Sequence, residues 1–157
     1  MTKVLLIGYG NPGRLDDGLG PAVAAEIEKL NIDGVDCDSD YQLTVEDAVD
    51  VHEHDVVIFA DADVSCTTPF YFKKIEAGKS VSFSSHSINP KSLLALTKQI
   101  YNTETNAFVL GIRGFEFNEF EERLSDYAKS NLKEALEFII PILKEKNFEE
   151  FIPETDE

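Results

Sequence analysis

Along this chain short apolar runs take turns with stretches whose apolar residues recur at helical spacing. "KVLLIG" near the start has the unbroken apolar character of a strand covered on both faces. From about Gly20, "GPAVAAEIEKL" puts Val23, Ile27 and Leu30 on one helical stripe, with Pro21 set for the first turn. "GVDCDSD" predicts a second strand, and "TVEDAVDVHEH" a second helix capped by Thr44. "DVVIFADAD" holds the strongest apolar run and predicts a third strand, and "PFYFKKI" an edge strand. "NPKSLLALTKQIY" reads as a helix opened by Asn89 and Pro90, and "AFVLGIRG" as the last buried strand. A long helix from about Ser125 to Lys146 turns Leu132, Leu136, Ile139 and Leu143 inward, with a kink expected at Pro141.

Strands alternating with helices, without internal repeat or low-complexity linker, predict an α/β fold: a three-layer sandwich with a mostly parallel, twisted central sheet. The 157 residues suit one domain. That domain is expected over 1–146, with residues 147–157 as an acidic, Pro-interrupted tail that is frayed or disordered.

Charge removes several classes of function. With 14 Lys+Arg against 30 Asp+Glu the formal charge is -16, which repels nucleic acid and anionic membrane surfaces. No run approaches the roughly 18 apolar residues of a membrane span, and no basic segment followed by an apolar one opens the chain. A cytoplasmic location is expected. Cys37 and Cys66 form no CxxC pair, which suits a reducing compartment and leaves oxygen and nitrogen as the ligands for any metal.

The candidate chemistry begins in "LLIGYGNPGRLDDGLGP". Gly8, Gly10 and Gly13 have the spacing of a dinucleotide loop, but Gly18, Gly20 and Pro21 come where its helix would already run, and Asp16 and Asp17 would sit beside the phosphates. The loop therefore reads as one that meets a cation, with capping of the first helix as the other role open to one of these aspartates. The third strand ends on Asp61 and Asp63, and a carboxylate at a buried strand tip needs a partner or a metal. "SFSSHSINP" adds His86 ahead of a helix. Two carboxylates and one imidazole make an O, O, N set with open positions, which does not choose between Zn, Mn, Fe and Ni.

The ordered blocks "GYGNPGRLDDGLGP", "YQLTVEDA", "FADAD", "SSHSINPKSLLAL" and "LGIRGFEF" resemble the maturation endopeptidases of nickel-iron hydrogenases, over Lys3 to about Ile142. The resemblance implies a monomeric α/β protein of the phosphorylase/hydrolase-like kind. It implies an endopeptidase that recognises nickel already inserted in the hydrogenase large-subunit precursor and removes the C-terminal extension of that precursor. The nickel would arrive with the substrate. By position the metal-binding and catalytic residues would be Asp17, Asp61 and His86. The first of these is often Glu in the family, so with Asp17 either the loop sits closer to the metal or Asp16 contributes.

Other readings start from other residues. "GNPG" also opens peptidyl-tRNA hydrolases, but no histidine precedes His52 and the basic surface that tRNA needs is missing. Cys66 with His86 would make a thiol protease, against the simpler role of a small packed cysteine. His52 and His54, two positions apart on a helix, point about 200° away from each other and read as solvated helix-end residues. "GFEFNEF" reads as packing or a docking lip. A non-catalytic module that senses a metal or a partner would carry the same carboxylates and imidazole.

Overall fold

The computed structural model describes residues 1–81 and 87–151, whose strands form one five-stranded sheet. In chain order these are β1 (Val4–Tyr9), β2 (Val35–Asp40), β3 (Val56–Asp63), β4 (Phe70–Ile75) and β5 (Asn106–Arg113). Their order across the sheet is β2-β1-β3-β5-β4, so β2 and β4 are the two edges. Four strands run parallel and β4 runs antiparallel to β5.

Four helices cover the sheet: α1 (Leu19–Lys29), α2 (Asp47–His52), α3 (Pro90–Tyr101) and α4 (Asp126–Glu145). Alternation along the buried strands divides their side chains between two cores. Leu6, Ile58, Leu110 and Ile112 meet Val23 and Ile27 of α1 and Ala135 and Ile139 of α4. On the opposite face Leu5, Ile7, Val57 and Phe59 meet Val51 of α2 and Leu93 of α3. The result is the expected three-layer α/β sandwich.

Helix ends explain where local expectations held. Asn89 caps α3 by accepting from the Ser92 N–H at 2.8 Å, with Pro90 in the first turn, and Ser125 caps α4 by accepting from Ala128. Helix α4 continues as one element through Pro141. Two details differ. Helix α2 starts at Asp47 and Thr44 does not cap it; the Asp47 carboxylate instead accepts from the Thr44 N–H at 2.9 Å. Leu30 is 46% exposed and stands as the C-cap of α1, which ends at Lys29.

The glycines of the opening segment serve close packing. A methyl group on Gly8 would sit 2.0 Å from the Gly20 carbonyl oxygen, so strand β1 and the first turn of α1 touch backbone to backbone. Phe148 and Phe151 lie within the segment read as a tail, yet both pack on Phe108, and Phe151 also meets Phe72. Packing on the sheet therefore includes these two aromatics. No helix among the described residues is long and apolar enough to cross a membrane.

Candidate functional site

From β1 the chain first builds β2 on one side, then crosses back to lay β3 on the other. The connections diverge at the carboxyl ends of β1 and β3, where open parallel sheets leave a crevice for ligands. Tyr9 ends β1 and Asp61 and Asp63 end β3, so this crevice is lined with polar groups. A groove of about 390 Å³ runs here, bounded by Tyr9, Asp61, Asp63, Ser65 and Tyr71.

Asp61 is the most perturbed carboxyl of the crevice. Burial pushes its pKa up, the nearby charges of Asp17 and Asp63 push the same way, and bonding to the Ala62 N–H and the Tyr9 hydroxyl opposes them. The balance leaves it at about 6. The Ala62 N–H donates to Asp61 Oδ1 at 2.8 Å. The Tyr9 phenol is itself held protonated, first by burial and then by the Asp61 charge. It can therefore donate to Asp61 but not replace it as an anion.

Asp63 behaves in the opposite way. Burial pushes its carboxyl up, but bonds from the Ser65 N–H, the Ser65 hydroxyl and the Tyr71 hydroxyl outweigh that and hold it below the usual range. Tyr71 reaches it by lying across Gly111, its partner in the β4–β5 register. A Cβ on Gly111 would fall 2.2 Å from the Tyr71 ring.

The loop after β1 divides the two neighbouring aspartates. Gly10 has φ +140, a value side chains rarely adopt, and lies against the Asp17 carbonyl. The Asn11 N–H donates to Asp17 Oδ2 at 2.9 Å, and Asn11 Oδ1 accepts from Gly13 N–H. Leu15 sits at φ 54 with its side chain buried, a strained conformation that starts the short 3-10 turn Leu15–Gly18. Asp16 is fully buried and accepts from Phe115 N–H, Glu116 N–H, Ser125 N–H and the Ser125 hydroxyl. Its oxygens are occupied on the α4 side, so it supports the loop. Neither aspartate caps α1, whose N-cap is Gly18, without a side-chain cap.

Of the three predicted site residues, Asp17 and Asp61 share the crevice, where the Asp17 charge reaches Asp61, and His86 lies outside the described residues. Two residues further, Ile88 is buried and bonded to the Leu43 carbonyl. Cys66 does not resemble an activated thiol: burial and Asp63 push its pKa up, and its Sγ faces the Thr68 carbonyl at 3.4 Å. His52 stacks on Tyr101 at 4.1 Å. His54 is a packed residue and not a solvated one, bonded to the Asp50 carbonyl and to Asp36, both at 2.7 Å. Sequence reasoning missed Tyr9 and Tyr71. A tyrosine closing an apolar strand just before the glycine loop could have signalled the first; nothing local signals the second.

The fold and this site can be set beside known proteins. No family model matches the chain. A candidate hydrogenase maturation protease of Methanocaldococcus jannaschii is 28% identical over 155 residues, covering 90% of this chain and 96% of that protein. Among solved structures, the hydrogenase maturating endopeptidase HybD of Escherichia coli superposes with a TM-score of 0.73 at 19% identity, covering 92% of this chain and 94% of that one. The NiFe hydrogenase maturation protease HycI of Thermococcus kodakarensis gives 0.70 at 22% identity, covering 91% and 93%. The three-layer fold is that of these proteins, and the resemblance read from the motifs agrees with the relatives found.

Proposed function

We propose that this chain is an endopeptidase that removes the C-terminal extension of a nickel-iron hydrogenase large-subunit precursor once nickel is in place, meeting that nickel with Asp17, Asp61 and His86. One observation carries the reading. Asp61 stands at the switch point with its carboxyl raised to about 6, in part by the charge of Asp17, in a fold shared with hydrogenase maturation proteases.

The donor set suits a cation that is brought in. Two carboxylates that repel each other in a half-buried crevice gain from a positive centre between them. Asp17 has one oxygen held by Asn11 N–H and the other outside that bond, which fixes its direction. Asp61 is fixed in the same way by Ala62 N–H. Below about pH 6 it holds a proton, which an arriving cation would displace. Nickel carried by the precursor supplies Lewis acidity toward a peptide carbonyl. Tyr9 keeps its proton throughout and steadies the Asp61 carboxylate. Tying cleavage to nickel makes the enzyme a checkpoint on metal insertion.

The test is a cleavage assay on nickel-loaded and nickel-free precursor, read by mass spectrometry for wild type, Asp17→Asn, Asp61→Asn and His86→Ala. Loss of a C-terminal peptide only with nickel, abolished by the Asp61 and His86 changes, is the expected result. Nickel-dependent binding without cleavage would instead make the chain a sensing module. Cleavage indifferent to nickel and to all three residues would overturn the site.

A further inference from the structure

The chain has three arginines, and all three stand in or beside the loops at the carboxyl end of the sheet: Arg14 after β1, Arg113 at the end of β5 and Arg123 before α4. Two of them are engaged. Arg14 donates to the Phe117 carbonyl and lies over the Phe120 ring, and Arg123 pairs with Glu121 at 2.9 Å. Arg113 is different. Its guanidinium lies over the Phe115 ring at 4.8 Å, and its Nε is buried with no hydrogen-bond partner among the described residues. The carboxylate nearest by strand register is Asp63, whose oxygens are taken by Ser65 and Tyr71. In a chain of net charge -16 an unmatched buried guanidinium N–H is out of keeping with its surroundings.

Arg113 also has space in front of it. A groove of about 420 Å³ is bounded by Val64, Arg113, Phe115, Phe117 and Asn118. Val64 lines both this groove and the one that holds Asp61, so the two adjoin at that residue. Its walls present apolar surface to solvent, with Val64 68% and Phe115 42% exposed. A planar guanidinium fixed on an aromatic face has its terminal N–H donors held in one direction, and that fork matches a carboxylate.

We propose that this groove is a subsite for a carboxylate carried by the substrate polypeptide next to the reacting segment, and that Arg113 is the residue that selects it. The inference rests on the peptidase reading above for the identity of the substrate, but not for the carboxylate chemistry. The carboxylate is either an acidic side chain or the terminal carboxylate of the extension.

Two measurements test it. In the first, the side-chain N–Hε signal of Arg113 in the wild-type full chain is followed by NMR during titration with N-acetyl-glutamate amide, with N-acetyl-alanylglycine as free acid, and with N-acetyl-glutamine amide. A saturable shift with one or both acids and none with the neutral amide is expected, and which acid acts identifies the source. No shift, or an equal shift with the neutral compound, overturns the proposal. In the second, Arg113→Gln and Arg113→Lys are assayed on nickel-loaded precursor. KM is expected to rise about 30-fold in the Gln variant with kcat within about twofold, and lysine to restore only part of it. An unchanged KM in a wild-type enzyme that does cleave overturns the subsite. A wild type that cleaves nothing overturns the peptidase reading, and the NMR titration still decides the subsite.

Discussion

Asp16 and Ser125 stand 109 residues apart in the chain and share two hydrogen bonds of 2.7 Å, the backbone N–H to Oδ1 and the hydroxyl to Oδ2. With the N–H groups of Phe115 and Glu116, four donors converge on one buried carboxylate. This couples the loop after β1 to the loop that leads into α4.

Asp16→Asn turns an amide NH2 toward those donors and is expected to lower stability by about 3 kcal/mol. Asp17→Asn keeps an acceptor for Asn11 N–H and is expected to change stability by less than about 1 kcal/mol while abolishing cleavage. Urea unfolding of the two variants beside a cleavage assay checks this. Equal stability losses would remove the division of labour between the neighbouring aspartates.

The raised pKa of Asp61 makes a pH prediction with a definite sign. Between its ordinary 3.8 and about 6 the folded state holds a proton that the unfolded state has lost. The contribution of Asp61 to stability is thus most favourable below pH 3.8 and is lost as pH rises through about 6. Asp61→Asn is expected to gain about 2 kcal/mol over wild type at pH 7, and to show no gain near pH 3.5. Thermal unfolding at the two pH values decides it.

Tyr9 opposes the upward shift at Asp61. Tyr9→Phe is expected to move the Asp61 carboxyl above about 6, seen as a later midpoint in a carbon-13 carboxyl titration. A midpoint that falls would mean the phenol does not bond to the carboxylate.

Gly111 and Tyr71 form a testable pair. Gly111→Ala drives the Tyr71 ring from its place and is expected to cost about 2 kcal/mol. Tyr71→Ala removes the same ring and its bond to Asp63. Because either change displaces the same ring, the double variant is expected to cost at least 1 kcal/mol less than the sum. Additive losses in denaturant unfolding would show that the two residues do not compete for space.

Cys66 should be slow to react. With its thiol pushed up by burial and by Asp63, alkylation by iodoacetamide at pH 7 is expected to be slower than for a free thiol, and Cys66→Ala to leave cleavage intact. Loss of cleavage in Cys66→Ala would return the thiol to the chemistry.

The parallel strands were legible because burial on both faces leaves unbroken apolar runs, as in "VVIFADAD" of β3. The placement of Asp17 and Asp61 at the carboxyl end of the sheet was legible for a related reason, since one follows the turn after such a run and the other closes one. The place of Asp16 was not, because its donors lie 99 to 109 residues away. Leu30 kept the helical phase of α1 while the helix itself stopped, and periodicity carries no mark of a stop. Thr44 had the chemistry of a cap, but Asp47 is the residue whose side chain bonds, in the reverse sense. Phe148 and Phe151 were read by the acidity around them, although two aromatics three apart beside a helix end are a packing signal.

The free edge at β2 bears on self-association. Asp36, Asp38 and Asp40 recur every second residue along that strand, on one face of it. Two copies meeting β2 to β2 would bring these rows of negative charge together before backbone bonds could form. The exposed ladder is thereby protected from growing into an intermolecular sheet.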